Sequence, residues 1–327
     1  MNMSRQNRLI LKPHKLQKIW VLILGVLAVL LCLTRVCIAE TVEDHRGRTF
    51  SFDKPYKRII SLYGAHTENL FYLGAADQII GVSINDAYPE EVSGKQRFSY
   101  HDDPEKFLST RPDLVLIRPM IENGYPQFVN QLRSYGIVVM SFQPSTIDKV
   151  FDYWITLGKL TGKNANAQDL VSNFKAGIQE IKDKTHEVPN KKKVYFQSIH
   201  RRMKTFTPGA MPIFALETAG GINVAKDAKA SRNTNVAIYG KEQILAKAPE
   251  IDVFLAQKGI MNPIQAQDIL NEPGFHIIKA VKENQIFLID ENIVSRPVPR
   301  LYQGILTIGK ILYPEIFSSI TTQEDLI

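Results

Sequence analysis

Two ten-residue segments of this chain carry one pattern. Glu105-Lys106-Phe107-Leu108-Ser109-Thr110-Arg111-Pro112-Asp113-Leu114 aligns without a gap on Glu242-Gln243-Ile244-Leu245-Ala246-Lys247-Ala248-Pro249-Glu250-Ile251. Each runs from a glutamate through an apolar residue and a leucine to a proline, an acid and an apolar strand. The physics is common to both. A glutamate in the first helical turn faces exposed N–H dipoles, and the proline stops the helix before the strand begins. A fainter echo sets Leu73-Gly74-Ala75-Ala76-Asp77 against Thr218-Ala219-Gly220-Gly221-Ile222-Asn223. A repeat of this kind constrains the chain to two similar halves.

The segments between and around the repeats fit that constraint. Short apolar runs at 58–62, 79–83, 114–117, 137–140, 194–197, 253–256 and 286–289 read as strands. They alternate with helical patterns at 67–73, 104–109 and 126–135. Short continuous apolar strands between helices point to a parallel sheet covered on both faces. Residues 146–187 break the alternation: Ile147, Val150, Phe151, Trp154, Ile155 and Leu157, then Leu170, Val171, Phe174, Ile178 and Ile181, recur at helical spacing with no strand signal. The expected fold class is therefore α/β with two lobes, each built on a central, mostly parallel sheet flanked by helices, joined by one long α-helix. The expected boundaries are a lobe at 40–162, a connecting helix at 163–188 and a second lobe at 189–327.

Residues 1–39 stand apart. Arg5, Arg8, Lys12, Lys15 and Lys18 precede an apolar run from Ile19 to Leu33, and Thr34 to Ala39 ends in small or compact residues. This is the layout of an export signal peptide, with cleavage expected after Ala39. An uncleaved anchor is the alternative, although the run is shorter than the ~20 residues that span a bilayer. With Arg35, the leader holds six basic residues and no acid, so its removal takes the net charge from +7 to +1. The basic balance thus belongs to the leader, and nucleic-acid binding loses its support. Cys32 and Cys37 leave with it, and no thiol remains for a disulfide or a metal site.

Arg58 to Glu68, with Leu73-Gly74-Ala75, Ile80-Gly81-Val82-Ser83 and Arg111-Pro112-Asp113-Leu114-Val115-Leu116, resembles the class III periplasmic solute-binding proteins of ABC importers. These carry vitamin B12, ferric siderophores, haem or oxyanions. The resemblance extends from about Thr41 to about Phe317. It implies little hinge closure, no resident cofactor beyond iron or cobalt within the ligand, an ABC permease dimer in the inner membrane as partner, and a monomeric protein in the periplasm. It also implies that one glutamate on each lobe engages the permease, which makes Glu105 and Glu242 the docking candidates.

Ligand groups in such folds sit on loops leaving the carboxyl ends of strands. Tyr63 and His66 follow the first strand, Tyr100 precedes the first repeat, and Arg118 directly follows a strand. Arg201, Arg202 and Lys204 form a cation cluster at another strand exit, suited to carboxylates or an oxyanion. Arg296, in Ser295-Arg296-Pro297, matches a family arginine that faces the ligand. Positions where corrinoid binders place tryptophans hold Tyr100 and Arg118. Such a lining favours an iron chelate (a siderophore or haem) or a corrinoid. The alternatives are a molybdate- or tungstate-type oxyanion and a membrane-anchored ligand-sensing ectodomain. An enzyme is not expected: the chain holds no His-Glu-x-x-His, no Gly-x-Ser-x-Gly and no phosphate loop.

Overall fold

The computed structural model describes residues 39–230, 234–318 and 320. Residues 1–38 of the expected leader, with both cysteines, lie outside them, and the expected cleavage bond, Ala39–Glu40, stands at their start. A hairpin of β1 (Glu40–Glu43) and β2 (Thr49–Phe52) opens the described chain. The first lobe then follows as β3 (Ile59–Ser61), α1 (Gly64–Tyr72), β4 (Ile79–Ser83), β5 (Gln96–Phe98), α2 (Pro104–Ser109), β6 (Leu114–Ile117), α3 (Pro119–Gly124), α4 (Pro126–Ser134) and β7 (Val138–Ser141). Its five strands pair in the order β5-β4-β3-β6-β7, all parallel. Every residue of β3 and β6 is buried, which is why these strands read as unbroken apolar runs. Phe98, Phe107 and Phe128 fill the core under this sheet.

Two helices follow, α5 (Ile147–Thr161) and α6 (Asn164–His186). Gly162, at φ 69°, closes α5 with a left-handed turn. The 23 residues of α6 span about 35 Å at the helical rise. Phe174 of α6 packs on Trp154 of α5 at 5.2 Å and on Tyr302 at 6.1 Å, so one side chain touches both lobes.

The second lobe comprises β8 (Lys193–Ile199), β9 (Lys204–Phe206), α7 (Met211–Thr218), β10 (Ile222–Asn223), β11 (Lys229–Ala230), β12 (Val236–Ile238), α8 (Lys241–Ala246), β13 (Val253–Lys258), α9 (Ala266–Leu270), α10 (Lys279–Lys282), β14 (Ile286–Asp290), α11 (Glu291–Val294), α12 (Leu301–Leu312) and α13 (Pro314–Phe317). Strands β10, β8, β13 and β14 are parallel neighbours. Beyond the far part of β8 the sheet turns antiparallel through β9, β12 and β11. The sequence patterns expected no such flank, because strands of two or three residues are too short to show a period.

The repeat occupies equivalent places. Helix α2 leads into β6, between β3 and β7; helix α8 leads toward β13, between β8 and β14. The gapless alignment nevertheless fails at its last two positions. Asp113 accepts backbone N–H bonds from Lys57 and Arg58 at 2.7 and 2.9 Å, latching β6 to the start of β3. Its counterpart is Asp252, which accepts from Lys193 N–H at 2.8 Å at the start of β8. An extra turn at Ala248–Glu250 shifts the register by two residues, and Glu250 instead pairs with Lys193 Nζ. The fainter echo is a shared helix ending: Ala75 N–H bonds Leu70 O and Gly221 N–H bonds Leu216 O, around Gly74 at φ 71° and Gly220 at φ 84°.

Among the described residues no helix is long and apolar enough to cross a membrane.

Candidate functional site: an arginine-lined cleft

The site is built on α1. Its residues His66, Thr67, Glu68 and Asn69 are polar, consecutive and fully buried, and each reaches a different neighbour. Thr67 hydrogen-bonds Ser61 at 2.7 Å and Asp86 at 2.5 Å. Glu68 takes a two-pronged pair from Arg300, at 2.6 Å on each oxygen. Asn69 donates to Pro297 O at 2.9 Å. Arg300 and Pro297 lie in the second lobe, so α1 is one of the first lobe's contacts with the second. Arg300 also stacks 3.7 Å from the centre of the Tyr88 ring. Burial pushes the Glu68 carboxyl above its ordinary value, and the Arg300 guanidinium opposes that push.

At the amino end of α1, three predicted residues come together. The Arg118 guanidinium lies 5.0 Å from the centre of the Tyr63 ring. Arg296 reaches across from the second lobe: a Cβ added at Gly64 would lie 2.8 Å from its Nη1 and 3.1 Å from Asp86 Oδ1. Gly64 therefore lets a second-lobe arginine approach the helix start. Arg118 and Arg296 are half-buried and make no salt bridge among the described residues, whereas Arg300 beside them is paired. Burial raises the Tyr63 phenol, and both arginines pull it back down. Asp86 is raised to about 6, chiefly by burial, with Thr67, Arg296 and Arg97 opposing. The positive end of α1 adds to this field. Two guanidiniums without a salt bridge among the described residues, one from each lobe, thus lie at the start of α1, a chemistry suited to an anion.

The other predicted residues stand elsewhere. His66 is no open ligand. Its side chain is wholly buried, with Nδ1 2.5 Å from Tyr153 Oη and Nε2 2.9 Å from Ile117 O, and burial lowers its pKa to about 4. Tyr100 packs at a tilt against His101 and Tyr125, at ring distances of 4.5 and 4.6 Å, beyond the carboxyl end of β5. Arg201 and Arg202 are exposed on the turn after β8, and Lys204 is half-buried on β9. The turn is fixed beneath by His200, whose Nδ1 meets Gln197 Oε1 at 2.9 Å and whose Nε2 faces Glu272 at 3.4 Å. Glu105 and Glu242 are exposed in the first turns of α2 and α8.

Sequence reasoning missed four exposed apolar residues near strand exits. Ile84 follows β4, Met120 follows Arg118, and Ile260 and Met261 cap the tight turn after β13. They are 55, 39, 86 and 57% exposed. All four lie just past the carboxyl end of a strand, where a solvated loop would be polar. That placement was the available signal.

The chain matches the periplasmic binding protein family over residues 59–293. It belongs to that family. It is 27% identical over 280 residues to an uncharacterized ABC transporter substrate-binding lipoprotein of Bacillus subtilis, covering 85% of this chain and 86% of the relative. It is 25% identical over 254 residues to a vitamin B12-binding protein of Vibrio cholerae, covering 77% and 87%. The crystal structure of a possible iron-binding periplasmic solute-binding protein from Staphylococcus epidermidis superposes with a TM-score of 0.70 at 28% identity, covering 80% of this chain and all of that one. This solute-binding protein therefore has the two-lobed class III fold and the role of a substrate-binding component serving an ABC importer.

Proposed function

We propose that the protein captures an anionic metal chelate, a ferric siderophore, haem or an acid-bearing corrinoid, and delivers it to its permease. The observation that carries this reading is a pair of arginines without a salt bridge among the described residues, brought from opposite lobes to the start of α1, Arg118 over the Tyr63 ring and Arg296 at Gly64. Carboxylates or acidic oxygens of the ligand would take these guanidiniums, and the apolar tips Ile84, Met120, Ile260 and Met261 would lie against its less polar faces. Arg201, Arg202 and Lys204 would hold acidic groups at the second-lobe rim. Tyr63 offers a ring to stack on or an oxygen for a ferric ion, and Tyr100 a further ring at the first-lobe rim. The relatives' names, vitamin B12-binding and possible iron-binding, support a metal chelate. They lend none to the oxyanion alternative.

The leader fits export with cleavage after Ala39 and release into the periplasm. Glu105 and Glu242, one on each lobe, would meet the two halves of a permease dimer. Native mass spectrometry and absorption spectroscopy of protein purified from its own periplasm test the reading. A Soret band, a corrin spectrum or a ferric charge-transfer band is expected. A bound oxyanion with none of these, or failure to take up haemin, cyanocobalamin and ferric citrate, would overturn it. The same spectra give the mature mass, and an intact residue 1 would sink the cleaved form.

A further inference from the structure

The two arginines of the site are joined beneath its floor. Ile117, the residue before Arg118, presents a carbonyl that can only accept, so His66 Nε2, 2.9 Å away, carries the proton. The neutral ring then leaves Nδ1 as an acceptor, and Tyr153 must donate its hydroxyl proton there, at 2.5 Å. The Tyr153 oxygen is left to accept, and Asn69 Nδ2 lies 3.5 Å from it. The same nitrogen donates to the carbonyl of Pro297 at 2.9 Å, and Pro297 is the residue after Arg296. Every proton in the series is dictated by the carbonyl at each end. Exchanging the Asn69 amide atoms would set two oxygens against each other at Pro297, and the present orientation leaves Asn69 Oδ1 without a partner among the described residues. His66, Asn69 and Tyr153 are all buried. An unsatisfied polar atom at such depth is a cost that simple packing between lobes would not incur.

We propose that Asn69, Tyr153 and His66 are positioning residues: an ordered hydrogen-bond chain from Pro297 to Ile117 fixes the spacing of Arg296 and Arg118 and so sets the ligand's grip. None of the three touches the ligand. The low proton affinity of His66 keeps the ordering intact near neutral pH. This rests on the reading of Arg118 and Arg296 as ligand-binding groups.

The variant Tyr153→Phe tests it, because it deletes one oxygen while keeping a ring against Phe142. Without ligand, hydrogen exchange of peptides 114–122 and 294–302 should accelerate together, although they belong to different lobes, while peptide 253–258 stays at the wild-type rate. Acceleration in one of them alone, in neither, or equally in the control would overturn the chain. With haemin and cyanocobalamin as probes, whichever binds the wild type should bind Tyr153→Phe about tenfold more weakly, the scale of a lost buried hydrogen bond or two. In an Arg118→Ala background the same change should have no further effect. Binding within twofold of wild type, or an equal loss in both backgrounds, marks a merely structural tyrosine and sinks the proposal. A wild-type protein that takes up neither probe counts against the ligand reading alone, and the exchange result then decides.

Discussion

The two lobes share a repeat and divide the work differently. In the first, Arg118 leaves β6 and lies over Tyr63, half-buried and backed by the His66 ring beneath it. In the second, Arg201 and Arg202 stand exposed on a turn after β8, the strand equivalent to β3. The sheets differ in the same sense. The first is parallel throughout, with its strand ends held by helices, whereas the second gives one side of β8 to an antiparallel flank that lengthens its edge. The repeated α/β unit thus keeps its two glutamate-bearing helices, α2 and α8, in equivalent places while its strand exits diverge. The first lobe, with Arg296 reaching over to it, gathers half-buried cations, the proposed floor, and the second carries exposed cations on a turn, the proposed rim.

The largest expected effect tests the symmetry of the proposed docking helices, α2 and α8. Charge reversal at both Glu105 and Glu242 should abolish uptake by cells while leaving ligand affinity unchanged. Each single reversal should cost part of the transport, since each lobe presents one carboxylate in a first helical turn. Transport intact in the double variant refutes the docking role. Full loss from one single variant, with none from the other, would show that the lobes dock unequally.

Next comes the ion pair that joins the lobes. The Glu68 side chain is 1% exposed and that of Arg300 12%. Such a pair contributes little net stability, but removing one partner leaves a buried charge, at a cost of about 3–5 kcal/mol. Arg300→Met should therefore lower unfolding free energy by about that much in urea titrations, and the double variant Glu68→Gln, Arg300→Met should recover a good part of it. Equal losses from the single and double variants would mean that the pair itself holds the lobes.

Binding should separate floor from rim. Arg296→Ala or Arg118→Ala should weaken chelate binding roughly 10- to 100-fold, the range for a charge-assisted hydrogen bond lost from a partly buried site. Arg201→Ala, at an exposed position, should cost roughly threefold or less. Isothermal titration of the ligand found in the native spectra measures both. A reversed order would move the ligand's acids to the second lobe.

Much of this comparison is legible in the sequence, and the losses have physical causes. The repeat showed in its glutamate, leucine and proline because helix start and helix stop impose those residue types locally. Its slip at Asp252 did not show, because the latch to Lys193 is a tertiary bond that any acid near the strand start can make. Arg118 and Arg296 were readable as strand-exit cations, but their approach to one tyrosine depends on how the lobes meet. His66-Thr67-Glu68-Asn69 has the composition of a solvated helix face. It is buried because α1 is enclosed by the sheet on one side and the second lobe on the other, and only that surrounding makes His66 a support for Arg118 instead of a ligand. The tips Ile84 and Ile260 carried a weak signal, an apolar residue one or two steps past a strand, that single-residue reasoning passes over.

The smallest effect concerns the two titrating groups at the floor, and their signs oppose. His66 has a folded pKa of about 4, below its ordinary value of 6.5. Between those limits the unfolded chain binds more protons, so the stability His66 contributes is lost as pH falls through that window, by about 1.4 kcal/mol per pH unit. Asp86 has a folded pKa of about 6, above its ordinary 3.8. Between those limits the folded protein binds more protons, and stability is gained as pH falls. The two slopes cancel from about pH 6 to pH 4. Unfolding free energy of the wild type should thus carry no slope from this pair across that range. Asp86→Asn should remove the offset and leave a fall close to that of one proton per molecule as pH drops from 6 to 4. Urea titrations at pH 4, 5, 6 and 7 measure it. An unchanged slope in Asp86→Asn would mean that Asp86 takes up no proton in the folded protein over that range, whereas a variant with no fall at all would mean that His66 does, and that Nδ1 is not the acceptor which the carbonyl of Ile117 requires it to be.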